Sequence, residues 1–456
     1  MDIDRTLVNY ETTSESLPWT RRAWHGSSVF RQGVNLAALA LCNATLAVLS
    51  AWYIVTRTGI NFRSDAFFAS SALPQLAFGL LSATLVPVLV PLLATKNPQQ
   101  LREDAWSLFQ LITGISLIVA VPLFALSHLW VPLLVPGFSD EGKSLTTALT
   151  RIQIVSMVLN AAIVTLAAVH HALRRFVWVE LSALIANLAG LLFLILALPR
   201  FGIVIATLSI VFHNSLKVIF LLPTLGRWRR PVFHSPTVSE ARRLLKPLLP
   251  GQAYQRTEPL LDRFLSSMNG AGSLSLFSVA QQIYANVSLV TMKTLVAPLI
   301  PKLAVEAGGD WRAYRSTYRK RLLLIACVAC TGVVLLIFGE QILSFAIGHA
   351  GVTRENVYSL WLIMIALGGV FGGVVSGQIV SAAFYAAGNT KTPTKVSAIV
   401  YTIYLPFKII MFLKYGVVGL GITVSAYCLT NFMVQFLLLE RDVARKLECS
   451  PPLGRG

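Results

Sequence analysis

Charged residues are scarce in this chain. Asp, Glu, Lys and Arg make up only 13% of its 456 residues, whereas 55% are hydrophobic and the mean hydropathy is +0.68. A soluble fold has too little interior for that much apolar surface, so the composition excludes a water-soluble enzyme or binding domain. We therefore expect an all-α polytopic membrane protein. The polar segment 1–33 has no apolar core, so we expect no cleavable signal peptide.

Metal- and nucleotide-binding patterns are also missing or out of place. The five cysteines are scattered, and Cys327 and Cys330 lie in an apolar run that favours packing in the core over a redox or metal role. The segment GFSDEGKS, from Gly137, has the spacing of a phosphate-binding loop. It follows no predicted strand, and its Asp140 and Glu141 would repel phosphate. The sequence therefore predicts no cofactor, metal or nucleotide.

Long apolar runs, in contrast, are abundant. Runs of about 20 residues are long enough to cross a bilayer. Twelve such spans are predicted, at 34–57, 65–93, 105–130, 145–170, 177–198, 202–224, 244–268, 272–298, 319–346, 356–386, 393–413 and 417–439.

The basic residues predict how these spans are oriented. Of the Lys and Arg residues, 26 fall in the termini, the even-to-odd loops and the span ends beside them, against six in or beside the alternate loops. Basic residues favour the cytoplasmic side, so both termini are expected in the cytoplasm. This distribution accounts for most of the net charge of +18. We assign that charge to topology and to contact with anionic lipids, not to nucleic-acid binding.

The two halves of the chain share a repeated segment. TLVPVLVPLLA begins at Thr84 and TLVAPLIPKLA at Thr294, and they match at seven of eleven positions. Because six spans per half is an even number, both halves cross the membrane in the same direction. We expect two six-helix lobes around a central cavity, related by a pseudo-twofold axis along the membrane normal. The predicted segments are a polar segment 1–33, an N-lobe 34–224, a basic linker 225–243, a C-lobe 244–440 and a tail 441–456.

Several motifs resemble a known family. SDAFFASSALPQL, VPGF, HHALRRF, LLDRFLSS with SVAQQIY, and AAFYAAGNTKTP resemble, in this order, the bacterial lipid II flippases. Those proteins belong to the multidrug/oligosaccharidyl-lipid/polysaccharide (MOP) flippase superfamily. The resemblance implies a transporter, not an enzyme, in the bacterial inner membrane, with a lipid-linked saccharide as its substrate.

The sequence departs from the family at the positions where the resemblance implies basic residues that bind the pyrophosphate of the substrate. The first span has no basic residue before Arg57, LPQLAFG lacks the basic pair of the second helix, and Gln282 replaces an arginine on the eighth. The aspartate of SDAFF is retained as Asp65. Asp65 and Gln282 are candidates for headgroup contact, and other basic residues are needed to hold the phosphate.

Charged residues inside the spans are the remaining candidates, because a charge at mid-bilayer costs about 2.5 kcal/mol or more. Four of them lie on the seventh span. At about 100° per residue, Arg256 and Arg263 share one face, and Glu258 and Asp262 share the nearly opposite face. The acids therefore cannot neutralise the arginines, and each pair needs partners on another helix. Pro259 predicts a kink between the two pairs.

Each basic candidate has a functional and a structural interpretation. Arg256 either faces the cavity and holds a phosphate by bidentate contact, or forms an ion pair with another helix. For Arg263 we favour snorkelling towards the outer interface. Lys217 and Lys293 lie nearer the cytoplasmic ends, where snorkelling is again favoured, although they are also suited to approach a phospholipid-like headgroup.

Asp262 and Lys408 lie at matched depths on the seventh and eleventh spans, so either the two residues form an ion pair or Lys408 snorkels towards the outer interface. Some lipid II flippases place a sodium ion between these two helices. The resemblance therefore implies that the Lys408 ammonium acts here as a built-in cation, so that transport does not require sodium.

The leading hypothesis is a flippase for a lipid-linked saccharide on an undecaprenyl-pyrophosphate-type carrier, moved from the inner to the outer leaflet by alternating access. The saccharide would be an exopolysaccharide or O-antigen-like unit, or a lipid II-like precursor. Such a substrate also implies association with polysaccharide-synthesis enzymes. An ion-coupled exporter of small amphiphiles and a non-transporting scaffold are the alternatives. A membrane glycosyltransferase is disfavoured, because every outward loop is short.

Overall fold

The computed structural model describes residues 26–296, 299–347, 352–389 and 391–449. All regular structure in these ranges is helical, as predicted. Most of the predicted polar segment 1–33 and the end of the predicted tail 441–456 lie outside the described residues.

The first half of the chain forms eight helices. They are α1 (Gly26–Thr58), α2 (Phe62–Ser70), α3 (Ala72–Ala94), α4 (Pro98–Ala125), α5 (Ser127–Leu134), α6 (Asp140–Ala172), α7 (Phe176–Phe201) and α8 (Ile203–Leu221). Each of the six predicted spans of this half coincides with a helix, or a joined pair, that is long and apolar enough to cross a bilayer.

The second half forms nine helices in its described residues. They are α9 (Pro236–Gln255), α10 (Glu258–Ser267), α11 (Ser273–Thr291), α12 (Leu299–Glu306), α13 (Trp311–Ile337), α14 (Gly339–Ile347), α15 (Arg354–Ala366), α16 (Gly368–Ala386) and α17 (Lys391–Cys449). A π-helical turn, Met292–Val296, extends α11. The predicted linker 225–243 contains the start of α9.

Spans of the second half are more often broken than those of the first. Eight helices in the described part of the chain are long and apolar enough to cross a membrane, or nine if α13 and α14, bent by 63°, count as one span. The predicted span 244–268 is divided between α9 and α10, and 272–298 ends in the π-helical turn. Twelve spans are consistent with this arrangement once the broken helices are joined.

Gly416 separates the last two predicted spans within α17. Its φ of +57° lies in the left-handed region, which glycine adopts readily. A Cβ at this position would come within 2.3 Å of the Asn269 side-chain oxygen. The bend therefore requires glycine for both its backbone angle and its close packing.

Apolar side chains cover the outside of the bundle. Many are more than half exposed, which suits contact with lipid tails but not with water. Cys327 and Cys330 are also exposed, so the prediction that they pack in the core was wrong. Small residues fill contacts between helices, such as Gly373, whose missing Cβ lies against the backbone of Cys428. Examples of the exposed apolar side chains are Ile118, Leu133, Leu196, Phe345 and Leu413.

Candidate functional site

Asp65, at the start of the second predicted span, binds the other half of the chain. Its buried carboxylate accepts hydrogen bonds from the backbone N–H groups of Gly272 (2.5 Å) and Ser275 (2.7 Å), and from the Ser275 hydroxyl. The Ser275 hydroxyl also lies 2.8 Å from that of Ser64. Positions 65 and 275 are 210 residues apart, which is the offset of the repeated segment. Equivalent positions meet in this way only near a twofold axis.

The contact is stable because Asp65 satisfies the free N–H groups at the beginning of α11. A carboxylate at a helix N-terminus accepts these hydrogen bonds and interacts favourably with the helix dipole. The role expected for Asp65, contact with a substrate headgroup, does not fit this arrangement, since its oxygens are already occupied. We refer to the contact between Asp65 and α11 as the latch.

The seventh predicted span is broken immediately before Glu258. α9 ends at Gln255 and α10 begins at Glu258, so Arg256 and Thr257 lie in the break. Pro259 explains this geometry, because its ring excludes an α-helical carbonyl four residues earlier, at Gln255. The predicted kink is therefore present, as an interruption of the regular helical hydrogen bonds at Arg256 and Thr257, whose backbone angles stay in the right-handed helical region.

Both arginines of this region reach α3, in the first half of the chain. The guanidinium of Arg256 lies over Gly79, with Nη1 3.0 Å from the position that a Cβ on Gly79 would occupy. Arg263 donates a 2.5 Å hydrogen bond to the side-chain oxygen of Gln75. The prediction that the arginines share a direction is confirmed, whereas the snorkelling expected for Arg263 is wrong. Gly79 and Gln75 were not anticipated, because periodicity within one helix does not reveal contacts with another.

The two acidic residues of α10 both bind Lys408 of α17. Its Nζ lies 2.6 Å from Asp262 Oδ1 and 3.0 Å from Glu258 Oε1. Lys408 and Asp262 are almost fully buried, with side-chain exposures of 3% and 2%. The predicted pair between Asp262 and Lys408 is therefore present, and Glu258 joins it. We call these three residues the ion-pair cluster.

One neighbouring side chain holds Asp262, and a second hydrogen bond lies one residue before Glu258 along the chain. Gln281 of α11 donates a 3.0 Å hydrogen bond to Asp262 Oδ2. Thr257, in the break, hydrogen bonds with the Tyr401 hydroxyl at 3.0 Å. The sequence gives no signal for Gln281, because the family resemblance marks only the neighbouring position, Gln282.

Two of the other candidates line cavities. Lys217 does not extend to a membrane interface as favoured, but lines a polar cavity of about 260 Å³ inside the first half. Gln282 lines an apolar cavity of about 180 Å³ between α1, α11 and α15. The side chain of Lys293 lies outside the described part of the structure. Among the described residues, no three His, Cys, Asp or Glu side chains are grouped as a metal site would require.

Comparison with known proteins identifies the family. The family model for the lipid II flippase MurJ matches residues 54–449. A probable lipid II flippase MurJ from Thermotoga maritima is 22% identical over 400 residues, covering 85% of this chain and 81% of that protein. The lipid II flippase MurJ of Burkholderia cenocepacia is 20% identical over 443 residues, covering 91% and 84% respectively.

Solved structures show the same fold. A lipid II flippase MurJ in an inward closed conformation superposes with a TM-score of 0.79 at 17% identity, covering 89% of this chain and 87% of that one. An inward-facing multidrug resistance transporter of the MATE family, from the MOP superfamily, superposes with a TM-score of 0.73 at 15% identity, covering 92% and 100%. With the family match over most of its length, this chain belongs to the lipid II flippase MurJ family.

Proposed function

We propose that the protein moves a lipid-linked saccharide on an undecaprenyl-pyrophosphate-type carrier from the inner to the outer leaflet of the bacterial inner membrane. Both termini would lie in the cytoplasm. The relatives described as lipid II flippases support this class of substrate. The proposal covers lipid II-like precursors as well as exopolysaccharide and O-antigen-like units.

The observation that carries this proposal is the convergence of Arg256 and Arg263 on one helix of the opposite half. Their contacts on α3, at Gly79 and Gln75, are four residues apart, or about 6 Å along the helix. Two guanidinium groups at this separation are suited to one pyrophosphate, because each binds a phosphate through two parallel hydrogen bonds. The acidic residues of α10 do not oppose this, since they are held by Lys408.

The latch supports transport by alternating access. It joins the two halves at the end of the bundle where α2 and α11 begin, which is the outer end in the predicted topology. A headgroup can leave on that side only after Asp65 releases α11. Movement of the two halves around the arginines would then expose the headgroup site to each leaflet in turn.

The proposal also includes partners of the protein in the membrane. The basic loops predicted on the cytoplasmic side would contact anionic lipids. Association with polysaccharide-synthesis enzymes would supply the lipid-linked saccharide at the inner leaflet. The segments 34–224 and 244–440 would act as the two moving lobes.

Substitution of Arg256 tests this function directly. In proteoliposomes containing a lipid-linked saccharide, Arg256→Ala is expected to abolish the appearance of headgroups on the opposite face. Arg256→Lys is expected to restore transport only in part, because an ammonium lacks the planar fork. Arg200→Ala, at an exposed arginine in the last turn of α7, is the matched control. Wild-type transport by Arg256→Ala, in protein of normal abundance and fold, would refute the proposed site.

A further inference from the structure

A polar cavity within the first half has features that the arginine site does not explain. It has a volume of about 260 Å³ and lies between α3, α6 and α8. Most of its lining side chains are polar, although the surrounding helices are strongly apolar. Those used in the argument below are Gln75, Gln153, Ser156, Asn160, Asn214 and Lys217.

Two of the lining groups are buried without partners. Gln153 is 1% exposed and Ser156 is fully buried. Neither Nε2 of Gln153 nor Oγ of Ser156 has a hydrogen-bond partner among the described residues. They are three residues apart on α6, and therefore lie on the same face of that helix. Buried polar atoms are normally satisfied, so both atoms point to an occupant that forms hydrogen bonds, and Gln153 Nε2, which only donates, needs an occupant that accepts them.

The charge of the lining indicates what this occupant is. Lys217 contributes an ammonium, and none of the described lining residues is a carboxylate, although Glu180, outside the lining, interacts electrostatically with Lys217. The nitrogen of a glutamine side chain is a donor only, so Gln153 requires an acceptor, and the ammonium of Lys217 can donate to the same group. Asn160 and Asn214 supply amides that donate and accept, as neighbouring hydroxyl groups require. An oxyanion attached to a hydroxyl-rich group satisfies all of these side chains together.

The cavity is adjacent to the arginine site. Phe78 lines it, while the next residue, Gly79, contacts Arg256 on a face of α3 about 100° away. Gln75 belongs to both sites, because it lines the cavity and also accepts the hydrogen bond from Arg263. A substrate whose pyrophosphate lies at the arginines would therefore have its first sugar units next to the cavity.

We propose that this cavity binds an oxyanion, a carboxylate or a phosphate, carried on the saccharide of the transported lipid. The inference rests on the proposed transport function and adds to it that the substrate is acidic at a second position, separate from the carrier pyrophosphate. Lys217 pairs with the oxyanion, and Gln153 and Ser156 donate hydrogen bonds to it.

Soluble probes test the cavity without the lipid carrier. The purified full chain in detergent is titrated with glucuronate, inorganic phosphate or glucose at constant ionic strength, and binding is followed by calorimetry and by the shift in Tm. We expect glucuronate or phosphate to bind, and glucose to bind at least tenfold more weakly. The tighter of the two anions distinguishes a carboxylated from a phosphorylated sugar. Equal binding of glucose, or no binding of either anion, would refute the proposal.

Substitutions then assign the binding to this cavity. Lys217→Met is expected to lower affinity at least tenfold, and Gln153→Leu several-fold while keeping the ammonium. Lys143→Met, in the first turn of α6 and outside the cavity, is the control and should bind as the wild type does. Gln153→Leu is the test if Lys217→Met does not fold. Wild-type affinity in folded protein with either substitution would place the anion elsewhere.

The outcome is separable from that of the flippase proposal. Arg256→Ala is expected to keep the part of probe binding that depends on Lys217 while losing transport. Loss of probe binding with Lys217→Met therefore reports on the cavity alone. Failure of Arg256→Ala to affect transport would refute the flippase site and leave the probe result unchanged.

Discussion

Lys408→Met is the most informative change to the ion-pair cluster. It removes the only cation within 4.0 Å of Asp262 and Glu258 among the described residues, while the methionine keeps most of the side-chain volume. Because Asp262 is 2% exposed, its carboxylate has no access to water as a substitute partner. The substitution therefore leaves an uncompensated negative charge in the membrane interior.

The structure sets the order of the expected effects. Removing one partner of a buried ion pair costs about 3–5 kcal/mol, so Lys408→Met is expected to lower the free energy of unfolding by that amount. Asp262→Asn costs less, about 1.5–3 kcal/mol, since Lys408 keeps Glu258 at 3.0 Å. The double variant removes one negative charge along with the cation. Its loss should therefore be smaller than the sum of the single losses by at least about 1 kcal/mol, as for other side chains in contact.

The assay is equilibrium unfolding in mixed micelles, followed by tryptophan fluorescence, with transport measured in parallel. Lys414→Met is the matched control, because this lysine is on the same helix and exposed. Losses that add to within about 0.5 kcal/mol would show that the residues do not interact energetically. A Lys408→Met protein as stable as the Lys414→Met control would also refute the reasoning.

Three other predictions concern the arginine site, the latch and the coupling ion. Gly79→Val is expected to displace the Arg256 guanidinium and reduce transport about as much as Arg256→Ala does. Gly114→Val is the control, because nothing lies within 4 Å of the added Cβ, and it should leave transport unchanged. Equal transport by the two variants would contradict the packing of Arg256 on Gly79. Cysteines replacing Ser64 and Ser275, whose hydroxyls are 2.8 Å apart, should crosslink on oxidation and stop transport until reduced, and continued transport by the crosslinked protein would exclude the latch. Replacing sodium by potassium is expected to leave the transport rate unchanged, because the ion-pair cluster already contains an ammonium, and a clear sodium requirement in proteoliposomes would refute this.

The spans of the first half followed from the sequence because hydropathy alone specifies them. Each is an apolar helix or a joined pair of helices, and the chain contains few charges there to interrupt it. The seventh span could not be read in the same way. Its four charges and Pro259 were visible, but whether proline bends or divides a helix depends on what satisfies the backbone at Gln255 and Arg256, which periodicity does not report.

Only some of the partners of the charged residues can be predicted from the sequence. Asp262 and Lys408 were predictable as a pair, because depth along two spans can be counted and each residue needs an opposite charge. The contacts of Arg256 with Gly79 and of Arg263 with Gln75 were not predictable, since neither partner is charged. A glycine and an amide carry no sequence signal that distinguishes them from packing residues.

The latch shows how two halves with similar sequences can form a specific contact at the end of the bundle where α2 and α11 begin. A twofold axis brings equivalent positions of the two halves together, and two aspartates there would repel each other. In this chain one copy retains Asp65, and the other has Ser275, whose hydroxyl and backbone N–H both donate to it. The difference between Asp65 and Ser275 at one equivalent position therefore gives a specific hydrogen-bonded contact, where two aspartates would repel each other. Both arginines likewise lie in the second half, and the glycine and the amide that they contact lie in the first, so each half needs the other to complete the site.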